Sequence, residues 1–210
     1  PNYGLEALLK LRLKVSPIDE LNDPFEYLSL DMGDKSVRAW AKEFRNIVSE
    51  SNGIISFSKN WREPLMWAHY AKSHTGLALG FEIPDYLLMK IDYVTERITP
   101  PLDIDSNKES MRKFIEILLR SKHANWKYEE EARVIRPLSN CVAENGLHFA
   151  KWNHTTRLKE VILGDRYPSG SNAQIQNVLE DSGVKFITAR PEFKGFKMTP
   201  QKNRKFQKKL

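Results

Sequence analysis

Cysteine is nearly missing from this sequence. The single example, Cys141, excludes an internal disulfide and a cysteine-rich zinc site, and a cytoplasmic setting is the expectation that accompanies one free thiol. No apolar run approaches the roughly 18 residues that a membrane-spanning helix needs, so no membrane partner is expected. No basic-then-apolar leader opens the chain. It starts on Pro1 and reads as helix from Tyr3. Either an initiator methionine was removed or the chain begins inside a longer protein, and a strand ahead of that helix is expected to be absent or truncated. Glycine-rich phosphate loops of the P-loop and Rossmann kinds are missing too, as are internal repeats. Acid is missing from the end: "PQKNRKFQKKL" holds Lys202, Arg204, Lys205, Lys208 and Lys209 and no Asp or Glu.

What is present is a globular composition. Of 210 residues, 40% are hydrophobic and 10% aromatic, enough to build a substantial core. The net charge of +6 suggests nucleic acid, but the five bases of the tail carry most of it. The organisation expected is one α+β domain over residues 1–199 and a basic tail over 200–210. The tail is either a solvated terminus or a contact to nucleic-acid phosphates.

Periodicity supplies the elements. Leu5, Leu8, Leu9 and Leu11 mark a first helix, and "LRLKVSP" alternates like a strand. "NDPFE" reads as a turn with Phe25 as a buried anchor. Residues 34–50 carry an amphipathic helix, followed by the strand "GIISFSKN". Residues 64–73, "PLMWAHYAKS", read as a helix with Pro64 in its first turn and Gly76 as the left-handed residue that ends it. Further strands are "LALGFEI", "KIDYVTERIT", "EEARVIRPL", "LKEVILG" and "VKFITARP". Helices occupy 106–121, capped by Ser106 or Asn107, and "NAQIQNVLEDSG", closed by Gly183. Strands and helices interleave without the period of a doubly wound sheet. Mixed, largely antiparallel sheets with helices packed on them are therefore expected.

Three clusters carry candidate chemistry. In the helix at 64–73, apolar residues cover nearly the whole circumference, so it reads as buried. His69 on it then needs a partner, and His74 lies at the following turn. Five residues separate the two, which turns their side chains about 140° apart. That spacing and the lack of an HExxH pattern argue against a metal site. In "NWKYEEEARVIRP", read as a strand, Glu129, Glu131 and Arg133 share one face, and Trp126, Tyr128, Glu130, Ala132 and Val134 the other. The row is either an exposed charge ladder or two carboxylates at a cleft mouth, poised for acid/base or cation-stabilising work. A polar strand with Ser56 and Ser58 accompanies it. In "NDPFE", Asn22 and Asp23 are either turn residues or polar groups supplied to the same cleft.

The ordered set "NDPFE", "ISFS", "MWAHYAKSHTGLALGF", "K…W-x-Y-E-x-E-x-R" and "LKEVILG" resembles a bacterial domain-of-unknown-function family, twenty-nine-seventy-one, over about residues 3–195. More distantly, the order of helix, serine strand, aromatic-rich helix and Glu-x-Glu strand resembles the ADP-ribosyltransferase fold. That resemblance implies an enzyme using NAD to modify a macromolecule, or hydrolysing it. Glu131 matches the catalytic glutamate, Glu129 the acid before it, and Ser56 and Ser58 the serine strand. Trp67 or Tyr70 would stack on nicotinamide, His69 or His74 would bond its amide or a phosphate, and Arg133 would hold the acids or meet a phosphate. The histidines are expected to look toward the Glu-x-Glu strand. A toxin or phage-defence setting follows from the kind of enzyme resembled. The alternatives are a nucleic-acid-binding module and a non-catalytic interaction protein.

Overall fold

The computed structural model describes residues 3–23, 25–26, 29–100, 108–168, 173–179 and 182–203. In chain order they form α1 (Tyr3–Lys10), β1 (Arg12–Pro17), α2 (Lys35–Ser51), β2 (Asn52–Ser58), α3 (Pro64–Tyr70), β3 (Leu77–Glu82), β4 (Met89–Lys90), β5 (Asp92–Val94), α4 (Lys108–Arg120), β6 (Ser121–His123), β7 (Glu131–Pro137), β8 (Val142–Glu144), β9 (Leu147–Lys151), β10 (Arg157–Leu163), α5 (Ala173–Leu179), β11 (Lys185–Pro191) and β12 (Met198–Pro200). The class is α+β. Antiparallel pairings dominate, and β5 with β6 and β10 with β11 run parallel. The chain gathers into two compact units. No helix among the described residues is long and apolar enough to cross a membrane.

The first unit joins Pro1–Leu13, Lys59–Asp85 and Lys151–Leu210. Its sheet runs β12-β11-β10-β3. The continuous run Val161-Ile162-Leu163 in β10 is buried on both faces, as a strand with cover on each side requires. On one face Val161 and Leu163 pack with Leu8 of α1 and with Ile175 and Leu179 of α5. On the other, Ile162, Ile187 and Met198 pack with Trp67 and Ala71. Each such buried aliphatic contributes about 1.5–3 kcal/mol. Leu9 and Leu11, expected on the apolar face of the first helix, are exposed.

The 64–73 helix is shorter and less buried than its composition suggests. It stops at Tyr70, and Trp67 is its one buried residue. Leu65, Ala68, His69 and Tyr70 are exposed. Lys72, Ser73 and His74 then adopt three consecutive left-handed conformations, with φ of 49°, 53° and 69°. None is glycine, and each costs on the order of 1–2 kcal/mol. Gly76, the expected left-handed residue, has no positive φ. Its requirement is room, since a Cβ there would sit 2.9 Å from the Ala71 carbonyl oxygen. The end of β10 clamps this turn: the Gly164 amide donates to the Gly76 carbonyl at 3.0 Å and the Arg166 amide to the His74 carbonyl at 3.2 Å. Gly164 permits the approach, because a Cβ there would lie 2.1 Å from the His74 carbonyl oxygen. Two of the quoted motifs, "KSHTG" and "VILG", thus meet as one backbone joint.

The second unit joins Lys14–Ser58 and Tyr86–Ala150. It holds most of the sheet β4-β7-β2-β1-β9-β8 and the pair β5-β6. Helix α2 is capped by Asp34, whose carboxylate accepts the Ser36 amide at 2.6 Å, and buries Ala41 and Phe44 against Phe114 and Leu118 of α4. Ile54 of β2 packs with Ile18, Val48 and Leu119. The short alternation in "VAENGLHFAK" forms the hairpin β8–β9, which sequence reading passes over. The expected caps Ser106 and Asn107 lie outside the described residues, as do Arg204, Lys205, Lys208 and Lys209 of the tail. Pro200, set at the start of that tail, ends strand β12 instead.

Gly164→Ala is expected to lower stability by about 3 kcal/mol or more through overpacking. Gly146→Ala, where a Cβ meets nothing within 4 Å but φ is +77°, should cost only about 1 kcal/mol. Denaturant melts of the two variants check this difference.

Candidate functional site: a buried charge cluster

The cluster lies entirely in the second unit. Its residues are Glu26, Lys122, Glu129, Glu131 and Arg133, all buried. Arg133 is 1% exposed and Glu131 6%. Arg133 stands on β7, and its guanidinium donates from Nε to Glu131 Oε1 at 2.7 Å and from Nη2 to Glu131 Oε2 at 2.9 Å. Nη2 also faces both oxygens of Glu26 at 2.8 Å. Nη1 donates to the Leu119 carbonyl at 3.3 Å, near the C-terminal end of α4, where a cation is favoured. The Lys122 ammonium donates to Glu129 and, at 2.9 Å, to Glu131 Oε2. It also lies 3.3 Å from Glu26 Oε1. The Trp126 ring centroid is 5.1 Å from Lys122 Nζ, a further desolvated cation contact.

Local structure explains the convergence. Helix α4 runs into β6, where Lys122 pairs in register with Tyr93 of β5. Residues Ala124–Glu129 then form a 3₁₀ helix that stops at Glu130, left-handed at φ 44°. That break turns Glu129 inward and starts β7 on Glu131, whose amide donates to the Tyr93 hydroxyl at 2.8 Å. Glu129, Glu131 and Arg133 therefore meet, but not as alternate residues of one strand, and the exposed-ladder reading is overturned by their burial. Trp126, expected on the opposite face, lies over Lys122.

Electrostatics divide the carboxyls. Burial works against ionising Glu131, yet the hydrogen bond and charge of Arg133, joined by Lys122, hold its pKa down at about 2. Burial likewise opposes the charge of Lys122, but Glu131 and Glu26 outweigh it and raise its pKa above the ordinary lysine value. For Glu26, burial wins over the pull of Arg133 and Lys122, and the carboxyl rises above its usual range. Three carboxyls face two cations, so a proton drawn to Glu26 moves the cluster toward neutrality. Tyr93 is raised as well, first by burial.

The predicted site residues distribute as follows. The register sets Ser58 opposite Glu131 and Ser56 opposite Arg133, on one face of the sheet; Ser56 is exposed and Ser58 half-buried. Asn22 is exposed and Asp23 buried, with Asp23 Oδ1 accepting the Phe25 amide at 2.9 Å. Phe25 is 53% exposed and is no buried anchor; the described residues that "NDPFE" buries are Asp23 and Glu26. Trp67, His69, Tyr70 and His74 belong to the first unit. Trp67 donates its indole N–H to the Trp61 carbonyl at 2.6 Å. His74 stacks on it with centroids 6.4 Å apart, and its Nδ1 lies 3.3 Å from Asp165 Oδ1. His69 is exposed, so it is not a core histidine.

Glu26, Lys122 and Tyr93 received no role from the sequence, although Glu26 lies within a quoted motif. The available signal was a lysine four residues before a tryptophan in an acid-rich segment. Among the described residues no group of three or more His, Cys, Asp or Glu side chains is arranged to hold a metal ion. No family model matches the chain, and no match exists among the curated proteins or the solved structures.

Two outcomes are expected. Arg133→Met leaves Glu131 and Glu26 buried without their guanidinium and should cost about 3–5 kcal/mol, read by denaturant unfolding. The pH profile has a defined sign. The depressed Glu131 contributes stability above the ordinary carboxyl range, on the order of 3 kcal/mol, which is lost as pH falls toward about 2. The raised Lys122 contributes below the ordinary lysine range, and that part is lost as pH rises beyond it. Raised Glu26 works oppositely to Glu131, favouring the fold at low pH and giving up that contribution as it ionises. Melting temperature across pH 2–7 should fall on the acid side in the wild type and much less in Glu131→Gln.

Proposed function

We propose that the second unit is an ADP-ribosyltransferase-like centre that uses NAD to modify a macromolecule, with Glu131 as its fixed negative charge. The observation that carries this reading is the register of Ser58 with Glu131 and of Ser56 with Arg133. It brings the serine strand and the Glu-x-Glu strand side by side, with Ser56 open to solvent. Cleavage between nicotinamide and ribose develops positive charge on the sugar, much as in glycoside cleavage. A carboxylate with a pKa of about 2 stays ionised and is a weak base. Its role is therefore to offset that charge and to accept a ribose hydroxyl. The hydroxyl reaches Glu131 Oε2 by taking the place of the Lys122 ammonium, which keeps Glu129 and Glu26 as partners.

A second reading is a non-catalytic interaction protein in which the cluster is scaffold. It is favoured by the closure of the network: Arg133 and Lys122 together occupy both oxygens of Glu131.

Calorimetry with NAD, followed by turnover assays of the wild type, Glu131→Gln, Ser58→Ala and the exposed-residue control Glu130→Gln, separates the two. The enzyme reading expects saturable binding, turnover lost in folded Glu131→Gln, and turnover reduced in Ser58→Ala at unchanged melting temperature. A folded wild type that neither binds nor consumes millimolar NAD, with mutations altering stability alone, would leave the scaffold reading.

A further inference from the structure

The hairpin joining β11 to β12 carries the two most exposed phenylalanines among the described residues, Phe193 at 89% and Phe196 at 98%. Burying a phenylalanine contributes about 1.5–3 kcal/mol, and this tip leaves both outside. The tip is nonetheless fixed at its base. Arg190 pairs with Thr199 and Pro191 with Met198. The Glu192 amide donates to the Lys197 carbonyl at 2.8 Å, and the Met198 amide to the Arg62 carbonyl at 2.7 Å. Met198 is buried beneath it.

Charge surrounds the rings. Arg190, Lys194 and Lys197 stand against one acid, Glu192. The Glu192 carboxylate lies over Gly195, so close that a Cβ there would meet its Oε2 at 2.6 Å. The Arg190 guanidinium sits 4.2 Å from the Phe193 centroid and donates to the Pro191 carbonyl at 2.7 Å. One face of Phe193 is therefore backed by a cation and the other is open.

We propose that this tip binds single-stranded nucleic acid, with bases stacking on Phe193 and Phe196 and phosphates meeting Lys194 and Lys197. Aromatic rings alternating with cations are what unpaired bases on a charged backbone require. A duplex keeps its bases stacked on each other and offers these rings no face. A lipid surface fits less well, because inserting Phe193 would drag the Arg190 guanidinium toward the acyl layer, and Lys194 lies between the two phenylalanines in sequence. The tip's residues precede the basic tail in sequence and are not those of the proposed NAD centre.

The test is fluorescence anisotropy of a labelled oligothymidine against the full chain. Phe193→Ala and Phe196→Ala should each weaken binding at least about fivefold, with little change in melting temperature because neither ring is buried. Phe196→Trp should retain it. Lys194→Gln should lower the slope of log affinity against log salt by about one. A chain with Arg204, Lys205, Lys208 and Lys209 changed to Gln should keep the dependence on both rings. The proposal is overturned by any of three results: full affinity in Phe193→Ala/Phe196→Ala, equal or tighter binding of the matching duplex, or ring-dependent binding to phosphatidylserine vesicles without binding to the oligonucleotide.

Discussion

The Arg133 guanidinium is the group on which the second unit depends. It lies almost wholly out of water, spans Glu131 on its own strand and Glu26 from a loop 107 residues earlier, and touches the Leu119 carbonyl near the end of α4. A lone guanidinium or carboxylate at such depth would cost several kcal/mol. Each charge is tolerated only because the others are in place. Lys122 extends the same logic, turning its ammonium to three carboxyls. The result is a set of elements distant in sequence whose relative placement is fixed by charge pairing rather than by apolar packing alone. Such a cluster gives direction as well as cohesion, since a one-residue slip of β7 would turn Arg133 to the other face of the sheet.

The first unit follows a different rule. Its sheet is covered on both faces, and β10 is apolar three residues running to fill both layers. What is unusual there is backbone rather than charge. Three non-glycine residues in left-handed conformation are held because Gly164 brings the end of β10 against them. Strain of this kind persists where surrounding structure over-determines it, and here the two amide bonds from Gly164 and Arg166 supply that constraint.

The parts of the fold that periodicity reveals were legible in the sequence. The apolar stripe of α2, the buried run of β10 and Gly183 after α5 each carry a local signal. The length of α3 was not legible, because its stop is made by Lys72, Ser73 and His74 rather than by glycine or proline. Its burial was not legible for a related reason: apolar residues all round a short helix describe composition, while Trp67 is its one buried residue. At the site, the convergence of Glu129, Glu131 and Arg133 was legible, but through a strand periodicity that the left-handed Glu130 interrupts. Their partners were not. Glu26 and Lys122 reach Arg133 and Glu131 through tertiary contact; a glutamate in a turn carries no mark of burial, and the one local signal for Lys122 is the tryptophan four residues on.

An ionised Glu131 in a nearly dry setting underlies both the stability of the second unit and the chemistry proposed for it. Carbon-13 NMR of the side-chain carboxyls, assigned with Glu131→Gln, follows that ionisation without reference to activity. A Glu131 signal that stays in the carboxylate position as pH is lowered to about 3 is the expected result. A Glu131 that takes up its proton in the ordinary carboxyl range in a folded protein would contradict the account, because its pairing with Arg133 and Lys122 would then not be what holds its charge.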